Sequence, residues 1–193
     1  MISRIDHISI AVKNYEKACR FFQEILGAVP GAGDDNHDKK FFWQIFSLGD
    51  LSRLELINPT GPGGILEKFL YSKKEGGFHH IALQTPDIQK AKQTLVDHNI
   101  PYFGYNEYRD VWKELFIHPR DAFGVLIQIA EFKPDDWLNK SIIFQSKRKW
   151  SVEKKEKGCK LSFAHPGGGK VTFELTLADV EKLIRELEEC AGS

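Results

Sequence analysis

Residues 7–18 read HISIAVKNYEKA, and residues 80–91 read HIALQTPDIQKA. The second stretch begins 73 positions after the first. At that offset His7 falls on His80, Ile8 on Ile81, Ile10 on Leu83, Asn14 on Asp87, Lys17 on Lys90 and Ala18 on Ala91. The same offset carries Leu54-Glu55-Leu56 onto Ile127-Gln128-Ile129 without a gap. Single matches arise by chance. An offset that holds a strand, a helix start and a distant strand in register marks an internal duplication.

Each copy has the same local grammar. Ile5 to Val12 alternates with period two, as a strand does. Asn14 can cap a helix whose apolar residues are Tyr15, Ala18, Phe21, Phe22, Ile25 and Leu26, with Gly27 as the stop. Strands are expected near Ala28 to Gly31, at Phe41 to Leu48 and at Leu51 to Ile57, with Gly49-Asp50 as a turn. The second copy expects a strand at Phe78 to Gln84 and a helix from Pro86-Asp87 to about His98. Further strands are expected near Ile100 to Phe103, Trp112 to Ile117 and Gly124 to Ala130. The class is therefore α+β: two βαβββ modules, about 4–58 and 77–132, in a domain spanning 1–132. The Gly/Pro-rich connector from Asn58 to Gly77 holds a short amphipathic helix around Ile65 to Tyr71.

Strand parity locates candidate chemistry. His7, Ser9 and Ala11 lie opposite Ile8, Ile10 and Val12. Glu55 lies opposite Leu54 and Leu56, His80 opposite Ile81 and Leu83, and Gln128 opposite Ile127 and Ile129. If the modules are related by a pseudo-twofold axis, His7, Glu55, His80 and Gln128 converge near it. Two imidazoles, a carboxylate and an amide oxygen suit a divalent ion such as Zn, Co, Mn, Ni or Fe. Such an ion can act as a Lewis acid that stabilises an enolate. A single histidine on a strand is ordinarily a satisfied polar residue; the joint placement of four residues argues for ligands. By the same parity, Phe42, Gln44 and Phe46, with Leu115 and Ile117 from the other module, are expected to wall a small-molecule pocket. Glu114 is expected to face away. His79 and His118 read as structural.

Composition excludes other classes. Of 193 residues, 41% are apolar and 28% charged, which is globular rather than disordered or fibrous. Lys plus Arg and Asp plus Glu are 27 each, so no electrostatic footprint for nucleic acid or an anionic membrane exists. No apolar run approaches the roughly 20 residues of a membrane span. The N-terminal stretch, with Asp6 and His7 inside it, does not read as a signal peptide. Three scattered cysteines fit a reducing cytoplasm better than a disulfide framework.

The segments IDHISIAVKNYEKACRFFQEILGA, LELINPTGPGGILEKFLYSKKEGGFHHIAL and FIHPRDAFGVLIQI resemble the vicinal oxygen chelate (glyoxalase/bleomycin-resistance-like) superfamily, and within it the methylmalonyl-CoA epimerase family. The resemblance covers about residues 4–132. It implies metal ligands at His7, Glu55, His80 and Gln128, and catalytic positions at Gln44 and Gln128. The family normally carries a glutamate where Gln128 stands, and its other acid/base carboxylate aligns with Gln44. The implied activity is a divalent-metal-dependent epimerase, isomerase or lyase working through an enolate on an acyl thioester, such as a CoA thioester, or on a 2-oxo compound. A glyoxalase-type isomerase, a non-haem iron dioxygenase using His7, His80 and Glu55, and a non-catalytic binding or assembly protein are the alternatives on this fold. Paired modules often form homodimers, and no feature here demands it.

The resemblance ends at Lys133. Residues 133–158, with a Lys/Glu-rich run from Lys147 to Gly158, read as a solvated linker. Residues 159–193 read as a β-hairpin plus helix: Lys160 to Phe163, a turn at His165-Pro166-Gly167-Gly168-Gly169, then Lys170 to Glu174. Thr176 and Asp179 have capping-box spacing before the stripe Leu177, Val180, Leu183, Ile184 and Leu187. The glycines before Lys170 lack the spacing of a phosphate-binding loop.

Overall fold

The duplication is visible in the backbone. The computed structural model describes residues 2–49, 52–144 and 148–192. Module one runs β1 (Arg4–Val12), α1 (Tyr15–Arg20, continued by a π-helical turn at Phe21–Ile25), β2 (Val29–Asn36), β3 (Phe41–Ser47) and β4 (Arg53–Pro59). After the connecting helix α2 (Ile65–Tyr71), module two runs β5 (Gly76–Gln84), α3 (Ile88–Asp97), β6 (Phe103–Tyr108), β7 (Trp112–Ile117) and β8 (Ile127–Phe132). Asn14 and Asp87, matched by the repeat, each cap their helix by accepting from the amide of Lys17 or Lys90.

The eight strands form one curled sheet in the order β2-β3-β4-β1-β5-β8-β7-β6. The modules meet where β1 pairs antiparallel with β5, and each of these strands pairs parallel with the last strand of its own module. The convex face carries the helices. Leu54, Leu56 and Phe46 pack with Tyr15, Ala18 and Phe22 of the first helix. Leu115, Ile117 and Ile129 pack with Ile88, Ala91 and Leu95 of the second. The faces opposite these aliphatic rows form the concave side. There α2 sets Leu66 and Leu70 against Ala11 and Ile57. A 3-10 turn at Pro134–Trp137 lays the Trp137 indole between Trp43 and Trp112, with ring centroids 5.6 and 5.0 Å away.

Several boundaries differ from expectation for local reasons. The second strand is longer than Ala28 to Gly31, because β2 continues past an irregularity between Pro30 and Gly33 to pair with Phe41. Ile100 ends α3 by donating to the Leu95 carbonyl instead of opening a strand, and Pro101 has no amide to offer a ladder. Gly124 and Val125 donate back into the Pro119–Ala122 turn, so β8 starts only at Ile127. Asp50 and Leu51, part of the expected turn and strand, lie outside the described residues.

Residues 140–193 are a second compact unit, while residues 1–139 form the first. The expected linker therefore divides: Pro134–Trp137 belongs to the first unit, and Trp150–Lys155 is a strand, β9, of the second. With β10 (Gly158–Ala164) and β11 (Lys170–Thr176) it makes a three-stranded sheet in place of a hairpin. Glu153, Lys154 and Lys155 of the Lys/Glu run lie on the edge strand of that sheet, a common guard against edge-to-edge pairing. Gly158 has φ +150°, and a Cβ there would lie 1.8 Å from the Leu175 carbonyl oxygen. The helix α4 (Leu177–Ala191) opens with the expected reciprocal Thr176–Asp179 capping box. No helix among the described residues is long and apolar enough to cross a membrane.

Candidate metal centre

The register explains the convergence. Ser9 pairs with both Glu55 and His80, so the side chains of His7, Ser9, Glu55 and His80 share the concave face. Ala82 pairs with Gln128, which brings Gln128 to the same side. One ligand atom from each of His7, Glu55 and His80 lies within 4.8 Å of the other two. His7 Nε2 and His80 Nε2 stand 3.9 and 3.6 Å from Glu55 Oε2. Gln128 Oε1 is 3.1 Å from His80 Nε2. These four sequence-predicted ligands come together.

Each histidine is held from behind. His7 Nδ1 donates to Asp6 Oδ2 at 2.8 Å, which turns Nε2 into the site. Asp6 also takes ion pairs from Arg4 and from buried Arg53. His80 Nδ1 meets His79 Nδ1 across 2.9 Å, and Phe69 of α2 packs on the His79 ring. An imidazole that offers its Nε2 lone pair to a metal carries its proton on Nδ1; Asp6 fixes that tautomer for His7, and His79 can accept the same proton from His80 when an ion takes His80 Nε2 in place of the contact with Gln128. The equivalence is positional: at the offset of 73, Asp6 corresponds to His79. The β1–β5 ladder shifts register between Ile5 and His7 and again opposite the Phe78–His80 step, so one extra residue precedes each ligand. Such bulges re-aim side chains beside functional sites.

The electrostatics suit a cation held by these residues. Burial pushes the Glu55 carboxyl above the usual carboxylate range, against the opposing pull of His7. Burial also holds His80 well below the ordinary histidine value, with His7 and His79 adding to the effect. Burial lowers His79 to about 4. Burial alone would raise Asp6, but its hydrogen bond to His7 and the Arg53 charge outweigh it and hold it low. His7 Nε2 and Glu55 Oε2 are buried with no hydrogen-bond partner among the described residues. Two imidazoles, a carboxylate and an amide oxygen suit a divalent ion, which would satisfy both orphaned atoms.

Gln44 is not among the convergent residues. Ile45, not Gln44, pairs with Glu55, so Gln44 shares the helix face with Leu56. Its Oε1 accepts from the Tyr15 hydroxyl, and its Nε2 donates to the Gly31 carbonyl at 3.1 Å. The expected pocket wall is likewise inverted: Phe46, Leu115 and Ile117 are core residues under the helices. Trp43 and Ile45 take the concave side of β3, and Glu114 and Phe116 that of β7. Glu114 is 6% exposed and its Oε2 accepts from Gln128 Nε2 at 2.7 Å. This differs from the expectation from strand parity, which turns this carboxylate away. The signal that places it was present, since Leu115 and Ile117 match the aliphatic rows that face helices on the other strands.

The family pattern described as the Glyoxalase/Bleomycin resistance protein/Dioxygenase superfamily matches residues 4–129. The chain belongs to this superfamily. Among relatives, it is 31% identical over 134 residues to the ethylmalonyl-CoA/methylmalonyl-CoA epimerase of Cereibacter sphaeroides, covering 68% of this chain and 99% of that one. It is 29% identical over 132 residues to the mitochondrial methylmalonyl-CoA epimerase of Homo sapiens, covering 67% and 74% respectively. The crystal structure of methylmalonyl-CoA epimerase from Mycobacterium tuberculosis superposes with a TM-score of 0.62 at 24% identity, covering 69% of this chain and 90% of that one. This likeness establishes the glyoxalase-like fold. The superfamily match ends before the Pro134–Trp137 turn, so Trp137 and the second unit lie outside it.

Proposed function

We propose that this member of the superfamily is a divalent-metal-dependent isomerase of the epimerase type, acting beside the carbonyl of an acyl thioester such as a CoA thioester, or of a 2-oxo compound. The observation that carries the reading is the convergence of His7 Nε2, Glu55 Oε2 and His80 Nε2, two of them buried without partners. The similarity to epimerases of methylmalonyl-CoA supports the substrate class. His7, Glu55, His80 and Gln128 would hold one ion, whose identity is Zn, Co, Mn, Ni or Fe. When bound, that ion supplies Lewis-acid stabilisation of the enolate charge.

The chain's own residues do the rest. Asp6 and His79 orient the two imidazoles. Gln128 offers an oxygen and serves as neither acid nor base at neutral pH. Gln44 sits on the other face of the sheet from the convergent residues, and it is given no part in proton transfer. Glu55 and Glu114 are carboxylates of the concave face, the residue type able to accept a proton from carbon. Two histidines and one carboxylate also make the donor set of a non-haem iron oxygenase, which is the second reading.

The test is metal analysis of untagged protein, followed by deuterium wash-in at C2 of methylmalonyl-CoA in D2O by NMR. About one divalent ion per chain is expected, lost in His7→Ala and His80→Ala, with exchange that follows metal content. No metal after reconstitution with each candidate ion would overturn the proposal. Oxygen consumption with iron, without exchange, would favour the second reading.

A further inference from the structure

An amide can ligate a metal only through its oxygen, so Gln128 is useful to the centre in one of its two flips. The choice is made next door. Glu114 is buried on β7, and its Oε2 lies 2.7 Å from Gln128 Nε2 and 2.9 Å from Trp112 Nε1. A carboxylate only accepts, so the amide nitrogen must face Glu114. The oxygen is thereby turned to His80 Nε2, 3.1 Å away, and towards the convergence of His7, Glu55 and His80. The reverse flip would set two acceptor oxygens against each other. Trp112 donates from the same strand as Glu114, and the Asn106 amide and Tyr108 hydroxyl approach Glu114 Oε1 from β6.

We infer that Glu114 is a positioning residue that locks the Gln128 amide with its oxygen towards the metal centre. The inference rests on the metal-centre reading of the proposed function. It also makes residues 114 and 128 a matched pair: one carboxylate, one amide, facing across a single hydrogen bond. Converting Gln128 alone to an acid then places two carboxyl groups in contact. Exchanging both restores the pairing, with the carboxylate now on the ligand side.

The test is titration of the metal-free protein with Co2+ and Mn2+ by calorimetry, with the cobalt absorption spectrum as a geometric readout. Wild type is compared with Glu114→Leu, Glu114→Gln, Gln128→Glu and the double exchange E114Q/Q128E. Loss of an outer-shell partner typically costs about 10- to 100-fold in metal affinity, and Glu114→Leu is expected to fall in that range with an altered cobalt spectrum. Glu114→Gln, which can still present an oxygen to the Gln128 nitrogen, is expected to recover most of the affinity and the spectrum. The double exchange is expected to bind at least about ten-fold more tightly than Gln128→Glu alone. Glu114→Leu with wild-type affinity and spectrum, or Gln128→Glu equal to the double exchange, would overturn the inference while leaving the metal centre standing. Wild type that takes up neither ion would overturn the metal-centre reading and this inference with it. If Glu114→Leu does not fold, the comparison of Gln128→Glu with the double exchange decides alone.

Discussion

Asp6 gathers three charged or ionisable partners, Arg4, His7 and Arg53, at a single buried carboxylate. Its buried carboxylate accepts from His7 and pairs with Arg53, which is itself buried and also donates to the Pro134 carbonyl at 3.1 Å. Replacing Asp6 by Asn leaves the Arg53 charge buried without its partner, and the expected cost is about 3 kcal/mol in urea unfolding of the metal-free protein. The pH dependence follows from the lowered Asp6 carboxyl. An acid held below its unfolded value of about 3.9 stabilises the fold above that pH and loses the contribution as pH falls through the folded value. Wild type should therefore lose stability below about pH 4, and Asp6→Asn should flatten that part of the curve. An unchanged acid limb in the variant would contradict this. At this scale the four convergent residues were legible, because the aliphatic row beside each fixed its parity: Ile8 and Ile10, Leu54 and Leu56, Ile81 and Leu83, Ile127 and Ile129. Asp6 and His79 were not, because equivalent positions hold different residue types and the bulges that expose them leave no mark in composition. Gln44 was misplaced because Phe41, Phe42, Trp43, Ile45 and Phe46 make β3 apolar on both faces, so alternation there has no sign.

Among the elements, the sheet order and both helices follow from the duplication, and the concave contents depend on what covers them. The Pro134–Trp137 turn covers one part through close contact with β2: a Cβ on Gly31 would lie 2.4 Å from the Trp137 carbonyl oxygen. Gly31→Ala should displace the turn at a cost of about 1–3 kcal/mol, read by thermal unfolding and by tryptophan emission. Retention of wild-type stability and emission would mean the turn is not seated there. The turn was illegible because Pro134 and the two aspartates after it read as linker, and a single indole carries no periodicity. The same blindness hid β9, whose residues are all exposed and whose pairing with β10 is set by backbone groups rather than by an apolar pattern. The Gly158 position is a sharper test of that small sheet. Ala there collides with the Leu175 carbonyl in a backbone conformation that only glycine adopts freely, so Gly158→Ala should melt the second unit while metal uptake by the first persists.

Over the whole molecule, His7, Glu55, His80, Gln128, Asp6, His79 and Glu114 all belong to the unit spanning residues 1–139. A chain ending at Asn139 is therefore expected to fold cooperatively and to bind a divalent ion within about three-fold of the full chain by calorimetry. A truncated chain that loses the ion would show that the centre depends on the second unit. The seam made by Trp43, Trp112 and Trp137 has an optical consequence. Three of the chain's four tryptophans sit within 5.6 Å steps of one another, and the fourth, Trp150, is half exposed in the other unit. Indoles that near couple their excited states. The molecule thus carries a built-in chromophore triad whose exciton circular dichroism reports how the concave face is closed, without any label and apart from the light emitted by Trp150.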